Sequence, residues 1–350
     1  LKVLYWGTPA YAVPGLEALV AAGHDLVGVV SQPDRRRGRG KALLPSPLKA
    51  RALELGIPVH TPERIRRDPE AQARLVALGA DVSVVVAFGQ ILPPEVLAQP
   101  PLGCWNGHGS LLPRWRGAAP IQWALIEGDA ETGVGIMAME EGLDTGPVLL
   151  ERRLPIALLE NAGELGKRLA ALTAALLVEA LPRIETAGPG PEPERLRRLG
   201  VRPQAGEGLT YARLLTKQDF LIDWHGTALQ VHRRVMGLHP GATTTWQGKR
   251  LRLLATEPLL PQLADQLSPE GAALALRWET APPPGDSAAR QPGQQAGTVL
   301  AIVTGVGVVV ATGGGEALLV RRAQLEGRTA CEGAALVQQL GAKEGDRFGS

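Results

Sequence analysis

Two short stretches carry the residues that could do chemistry. The first is Trp105-Asn106-Gly107-His108-Gly109-Ser110-Leu111-Leu112-Pro113, and the second is Gly142-Leu143-Asp144-Thr145-Gly146. Together they put an amide, an imidazole and a carboxylate on loops beside strand-like runs. Moving an acyl group onto an amine needs such a set. A donor must meet the carbonyl oxygen as charge develops on it, and protons must leave the nitrogen and reach the leaving group. Asn106 offers a side-chain N–H for the oxygen. His108 can donate to the same oxygen when protonated, or shuttle a proton. Asp144 can hold an imidazolium or accept the amine's proton, directly or through water. Two other readings use the same residue types. Ser110 with His108 and Asp144 would make a hydrolase triad, although Ser110 lies outside a Gly-x-Ser-x-Gly elbow. Asn, His and Asp also satisfy one another in polar loops that do no chemistry.

The elements that must position these residues follow an alternating grammar. Lys2–Trp6 is an apolar run broken by Gly7-Thr8-Pro9, Ala12–Ala22 reads as a helix, and Val27–Ser31 as a second strand. This β-α-β punctuation predicts parallel strands with a crossover helix, without the Gly-x-Gly-x-x-Gly dinucleotide fingerprint. Leu48–Leu55 and Glu70–Leu78 read as helices around a short strand at Ile57–His60. Asp81–Ala87 is a continuous apolar strand, the mark of a sheet covered on both faces. The loop Phe88-Gly89-Gln90-Ile91-Leu92-Pro93 follows it, and either caps the core or walls a pocket for a flat aromatic ligand. Gly103–Asn106 reads as a strand and Ala119–Ile126 as the next helix, which leaves His108 and Ser110 on the loop between. Thr132–Met139 and Val148–Arg153 are further strands with the Asp144 turn between them, and Leu165–Leu181 is a long closing helix.

Asp34-Arg35-Arg36-Arg37-Gly38-Arg39-Gly40-Lys41 holds five cations and one anion between prolines 33 and 45. A stretch this charged cannot bury itself and is expected as a mobile surface loop. It is either a solvated charge run or a phosphate-seeking arm. Its place after the carboxyl end of a strand favours the arm, because open α/β sheets put their sites at that edge.

The length of 350 residues suggests two domains. Residues 182–208, rich in Pro, Gly, Arg and Glu, read as a linker. Beyond it, one helix near Thr227–Met236 precedes short runs at 241–246, 250–255, 297–303, 307–311 and 318–320. Short strands with glycine turns predict a small β-barrel. Residues 282–296 are expected as a disordered insertion. Lys+Arg of 37 against Asp+Glu of 35 gives no net charge from which nucleic-acid binding could be read, so a polyanionic partner needs a local patch. Cys104 and Cys331 lie too far apart for metal-ligand spacing and suit a reducing compartment. No apolar run reads as a membrane span, and a cytoplasmic location is expected.

Several of these motifs occur in the order of one family. Asn-x-His-x-Ser-Leu-Leu-Pro, then Arg-Gly-Ala-Ala-Pro-Ile, then Gly-Leu-Asp-Thr-Gly resembles the formyltransferases that use 10-formyltetrahydrofolate. Gly7-Thr8-Pro9, Gln32-Pro33-Asp34-Arg35, Gly38-Arg39-Gly40-Lys41 and Ala87-Phe88-Gly89 extend the resemblance. It continues more faintly at Ile222-Asp223-Trp224 and Gly297-Thr298-Val299. It implies an α/β fold: an N-terminal Rossmann-like catalytic domain with a mostly parallel sheet over 1–185, a linker over 186–207, and a C-terminal OB-fold-like barrel over 208–345. It implies Asn106, His108 and Asp144 as the catalytic trio, without a metal. Ser110, Leu111, Leu112 and Pro113 would help form the folate site. Phe88, Gly89, Ile91 and Leu92, with Glu141, would hold the pterin ring. Arg35, Arg36, Arg37, Arg39 and Lys41 would meet tRNA. Within the family the resemblance is to members that formylate the α-amino group of methionyl-initiator-tRNA for translation initiation, working as monomers away from membranes. Arg233, Arg234, Lys249, Arg250 and Arg252 are candidate tRNA contacts on the barrel. Gly107 stands where a larger apolar residue is usual, which predicts a looser passage from strand to loop.

Overall fold

The structure, a computed structural model, describes residues 1–37, 42–280 and 295–349. It divides into two compact units. The first draws on residues 1–120, 131–154 and 166–214, and the second on 121–130, 155–165 and 215 onward.

The first unit is built on a seven-stranded sheet. Its spatial order is Val148–Pro155, Glu131–Ala138, Cys104–His108, Val82–Val86, Lys2–Gly7, Asp25–Val30 and Val59–His60. The five strands from Cys104–His108 to Val59–His60 pair in parallel, and Glu131–Ala138 joins antiparallel to Cys104–His108. Val82–Val86 is buried at every position, as its unbroken β-branched run requires of a central strand covered on both faces. The sheet is thus mostly parallel with an antiparallel flank.

Cys104–His108 extends two residues beyond the strand expected from sequence, so His108 ends the strand and only Ser110 lies on the loop. Antiparallel pairing of Gly107 with Ile136 and His108 with Gly135 carries the ladder that far. Alternation along the strand then places Asn106 and His108 on one face and Gly107 on the other. A Cβ on Gly107 would stand 2.6 Å from Thr173 Cγ2, on the helix Ala162–Ala187. The passage is therefore not looser at Gly107, because the helix fills the space a side chain would take. Thr173 is pinned there: its Oγ1 bonds Leu169 O at 2.8 Å and Tyr11 Oη at 2.9 Å.

The stretch 186–207 contains the helix Glu192–Leu199, closed by Gly200 in the left-handed conformation. Arg202 then exchanges two backbone hydrogen bonds with Val148. Farther on, Tyr211–Ala212 pairs in parallel with Arg116–Gly117. The basic stretch also differs from expectation, since Arg35–Arg37 pairs antiparallel with Ala42–Leu44 as a short ribbon rather than a loop. Three consecutive arginines carry no period-2 signal, so the ribbon was not legible. Arg39 and Lys41 lie outside the described residues, as does the expected insertion at 282–296 apart from Gln295 and Ala296.

The second unit is an antiparallel sheet in the order Thr243–Trp246, Lys249–Pro258, Ala317–Leu325, Gly307–Ala311 and Val299–Val303, with Cys331–Glu332 beside Ala317–Leu325. The C-terminal residues bridge both outer strands: Phe348 pairs with Trp246, and Arg347 with Thr298, the residue before the strand Val299–Val303. Phe348 is buried and its ring packs on Trp246 and Trp224, with centroids 4.7 and 5.5 Å away. Both sheet edges are thereby occupied. The helices Pro269–Thr280 and Gly333–Leu340 have no counterpart in the sequence reading.

His232, on the helix Ala228–Gly237, is fully buried in this unit. Its Nε2 donates to Leu158 O at 2.8 Å and its Nδ1 bonds Thr256 Oγ1 at 3.0 Å. Burial disfavours the charged ring and pushes the imidazole down to about 4.

Two predictions follow from packing and burial. Gly107→Ala should destabilise the protein by about 1–3 kcal/mol by overpacking. Thr173→Ser removes the opposing methyl while keeping the hydroxyl, and should recover most of that loss in a urea-denaturation double-mutant cycle. For His232, the unfolded chain takes up a proton near pH 6.5 and the folded chain only near 4. Its contribution is therefore complete above the unfolded value and fades as the pH falls between the two, by about 3 kcal/mol in all. His232→Gln should flatten that part of the acid dependence of unfolding; an unchanged curve would contradict the burial account.

Candidate active site

Asp144 is where the parts converge. It lies between the strands Glu131–Ala138 and Val148–Pro155, and its backbone adopts φ +52°, a conformation that costs an ordinary residue about 1–2 kcal/mol. Its carboxylate receives Gly117 N–H on Oδ2 at 2.8 Å and Asn106 Nδ2 on Oδ1 at 3.3 Å. His108 Nδ1 stands 3.7 Å from Oδ2. Asn106, His108 and Asp144 thus share one site, with His108 buried and Asp144 nearly so.

The imidazole is oriented from its other side. His108 Nε2 bonds Trp115 O at 2.9 Å. A carbonyl only accepts, so Nε2 carries the hydrogen and Nδ1 is the atom left for chemistry. Trp115 has φ +62°, and its N–H is held by Thr210 Oγ1 at 2.9 Å. Arg114 lies over the Trp115 ring, its Cζ 4.4 Å from the centroid.

Ser110 is buried, and its Oγ donates to Arg114 O at 2.6 Å and more weakly to Trp115 O at 3.5 Å. Ser110 and His108 both turn to the same carbonyl rather than to each other, which is not the geometry of a Ser-His pair. Leu112 is buried against Met137 and Val148. The Leu112–Pro113 peptide is cis, and Leu111 is half-buried.

The residues expected around a flat ring are more scattered. Phe88 and Leu92 are buried in a core cluster with Trp6, where Phe88 meets Trp6 edge-on at 5.2 Å. Gly89 has φ +86°, and Ile91 is exposed. The Phe88 carbonyl is held by Thr8 Oγ1 and Gln32 Nε2. A cavity of about 630 Å³ lies on the other side of the Asp144 turn, lined by Leu97, Cys104, Trp105, Met139, Glu141 and Arg195 among others. Of the expected ring contacts only Glu141 lines it. A smaller cavity of about 220 Å³ includes Phe88, Gly89, Gln32 and Arg35. Arg35 and Arg36 are exposed on their strand. In the second unit Arg233 and Arg234 are half-buried, while Lys249, Arg250 and Arg252 are exposed.

Sequence reasoning missed Trp115, Thr210, Gln204 and Arg195. Gln204 Nε2 donates to Asp144 O at 2.7 Å and Gly146 O at 2.8 Å. Arg195 is buried over Gly103, and its Nε and Nη1 have no hydrogen-bond partner among the described residues. No spacing in the sequence ties these residues to the trio. Among the described residues no group of three His, Cys, Asp or Glu could hold a metal, and no helix is long and apolar enough to cross a membrane.

An amide donor, an oriented imidazole and a fixed carboxylate brought together are the residue types that acyl transfer uses, and Ser110 lacks the geometry of a covalent serine mechanism. Residues 1–181 match the family model for the formyl transferases, and residues 214–341 match that for the formyl transferase C-terminal domain; the chain belongs to this family. A methionyl-tRNA formyltransferase from Synechococcus sp. (strain RCC307) is 66% identical over 343 residues, covering 97% of this chain and 100% of the relative. One from Prochlorococcus marinus (strain MIT 9303) is 53% identical, covering 99% and 98%. Among solved structures, HypX from Aquifex aeolicus in complex with tetrahydrofolic acid shares the fold at a TM-score of 0.56 and 15% identity, over 97% of this chain and 47% of that one.

The geometry at Ser110 makes a direct prediction. Ser110→Ala removes a hydrogen bond, which should cost about 1 kcal/mol of stability. Turnover should stay within about tenfold of the parent, whereas loss of a nucleophile costs several orders of magnitude. Steady-state formyl transfer by the purified variant decides it.

Proposed function

We propose that the chain transfers the formyl group of 10-formyltetrahydrofolate to the α-amino group of methionyl-initiator-tRNA, giving N-formylmethionyl-tRNA for translation initiation. It works as a cytoplasmic monomer and needs no metal. The observation that carries this reading is the Asn106, His108 and Asp144 constellation in a chain that matches methionyl-tRNA formyltransferases along its whole length.

The cavity beside the Asp144 turn suits a fused aromatic ring. Leu97, Trp105 and Met139 give it apolar walls, while Glu140, Glu141 and Gly142 offer polar edges. When bound there, the folate supplies an activated formyl carbon. Asn106 Nδ2 has a second N–H free of Asp144, and that N–H serves the formyl oxygen as it gains negative charge. His108 Nδ1, once protonated, adds a second donor to the same oxygen, and the Asp144 carboxylate keeps the imidazolium in place. Asp144 also takes the proton that the attacking amine must lose, directly or through one water; the bond between the formyl carbon and the folate nitrogen then breaks, and that nitrogen takes a proton from His108 as the tetrahydrofolate leaves. The Asp144 carboxylate is held by Gly117 N–H, so neither group must reorganise during transfer. Arg35, at the smaller cavity, and Arg36, exposed next to it in sequence, offer forks for the phosphates of an acceptor end, and Arg37, Arg39 and Lys41 are assigned to the same partner from sequence alone. Lys249, Arg250 and Arg252 serve the same polyanion on the second unit.

The test is mass detection of formylated product on charged initiator tRNA, with a small-amine control. Formyl-methionine on the tRNA is expected, and formylation of the small amine alone would overturn the reading. Asp144→Ala should lower turnover by about 10²–10⁴-fold; near-normal transfer would remove Asp144 from the mechanism. Arg35→Ala with Arg36→Ala should raise KM for the tRNA and flatten its salt dependence while leaving KM for the folate alone.

A further inference from the structure

One side chain holds the Asp144 turn together without touching the reacting groups. Gln204 Nε2 donates both its hydrogens, to Asp144 O at 2.7 Å and Gly146 O at 2.8 Å. Gln204 Oε1 accepts from Arg116 Nε at 3.0 Å and Arg116 Nη2 at 2.7 Å. All the hydrogen-bonding capacity of the amide is therefore spent between two partners, the turn and the Arg116 fork. The next residue after Arg116 is Gly117, whose N–H holds the Asp144 carboxylate at 2.8 Å. Asp144 is gripped at its carbonyl through Gln204 and at its carboxylate through Gly117, both anchored on Arg116–Gly117.

The grip matters because the turn is not self-supporting. Asp144 sits at φ +52°, and Gly146 packs so closely on Ala138 O that a Cβ there would clash. Strained backbone of this kind persists only when its surroundings over-determine it. Gln204 is itself fixed at both ends. Two residues before it Arg202 is paired with Val148, and eight residues after it Ala212 O accepts from Ala118 N and Ala119 N. A glutamine suits the place because it presents two donors to two carbonyls and an acceptor to a guanidinium. A glutamate would set a carboxylate against those carbonyls, and a leucine would leave the carbonyls and the Arg116 fork without partners.

We propose that Gln204 is a positioning residue for formyl transfer, acting through Asp144: it fixes the turn so that the carboxylate faces Asn106 and His108. The proposal rests on the acyl-transfer reading of the trio given above. Catalytic groups displaced by about 1 Å lose on the order of a hundredfold in rate, so a loosened turn should be felt in turnover before it is felt in binding.

The experiment uses the full chain with the acceptor that the parent enzyme formylates, followed by single-turnover mass detection. Absence of transfer by the parent would overturn the function reading before any variant is compared. Gln204→Leu is expected to lower kcat by about 10–100-fold, with KM for both substrates within about threefold, measured below a thermal midpoint that the unpaired carbonyls and Arg116 fork lower. Gln204→Glu should lose as much. On an Asp144→Asn background the same Gln204→Leu change should cost less than about threefold more, because the group it positions is already gone. The pH–rate profile of Gln204→Leu should also shift its acidic limb, as a displaced carboxylate meets His108 differently. The proposal is overturned if kcat of Gln204→Leu stays within twofold of the parent. It is equally overturned if the loss is additive with Asp144→Asn and the acidic limb stays in place, which is the behaviour of a purely structural tie.

Discussion

The site depends on a carboxylate held oriented and close to an imidazole with little freedom to turn away. Asp144 achieves this through backbone donors and amides rather than through a cation. Gly117 N–H and Asn106 Nδ2 occupy its two oxygens, and His108 faces it at 3.7 Å. Neutral donors stabilise a carboxylate without cancelling its field, so its attraction for an imidazolium survives. An arginine in their place would satisfy the carboxylate and remove its use to His108. Arg116, the residue before Gly117, points its fork at Gln204 instead.

The fold's contribution is to bring strained backbone to one edge of the sheet. Ala87, Trp115 and Asp144 all have positive φ without being glycine, and each follows a sheet strand or the loop that leaves it. Positive φ at Trp115 aims its carbonyl at both His108 and Ser110. The same conformation at Asp144 returns the chain so that its carboxylate meets Asn106. Val82–Val86 and Cys104–His108 run parallel and deliver their carboxyl ends to one side, whereas Glu131–Ala138 runs antiparallel to Cys104–His108, and the turn that follows it folds back to bring Asp144 to Asn106. Stability for the strained turns comes from elsewhere in the first unit, through Thr210 on Trp115 and Gln204 on Asp144.

Much of this was legible in the residues themselves. The central strand Val82–Val86 and the change of grammar beyond residue 208 follow from residue type and local period, whereas Asn106, His108 and Asp144 stand out from other polar loop residues only through the order of motifs that the family resemblance rests on. What was not legible depends on contacts distant in sequence. Gln204 lies in a Pro- and Gly-rich stretch that reads as a linker, and its partner is sixty residues away. His108 reads as a loop residue because Gly107 and Gly109 flank it, yet pairing with Gly135 extends the strand through it. The loop after Val82–Val86 reads equally as a core cap or a pocket wall; Phe88 and Leu92 pack into the core beside Trp6, and Phe88 also borders the smaller cavity. The gap at Gly107 reads as looseness in one dimension. It is closed packing in three, because Thr173 comes from a helix more than sixty residues downstream.

The remaining question is whether the chemistry passes through the enzyme covalently, and the described nucleophiles near the site answer it. Ser110 Oγ is committed to Arg114 O and lies away from any imidazole nitrogen free to act as its base. Cys104 lines the cavity but is buried, and burial pushes its thiol up to about 12, where almost none is thiolate at neutral pH. On the function proposed above, the acceptor amine is therefore the nucleophile, with Asp144 placed to take its proton, and neither described side chain competes with it. A direct transfer also explains why the site spends its structure on holding Asp144 and His108 still. With no covalent intermediate to divide the barrier, rate comes from preorganised charge and from the alignment of two bound substrates, and both are lost if the Asp144 turn drifts.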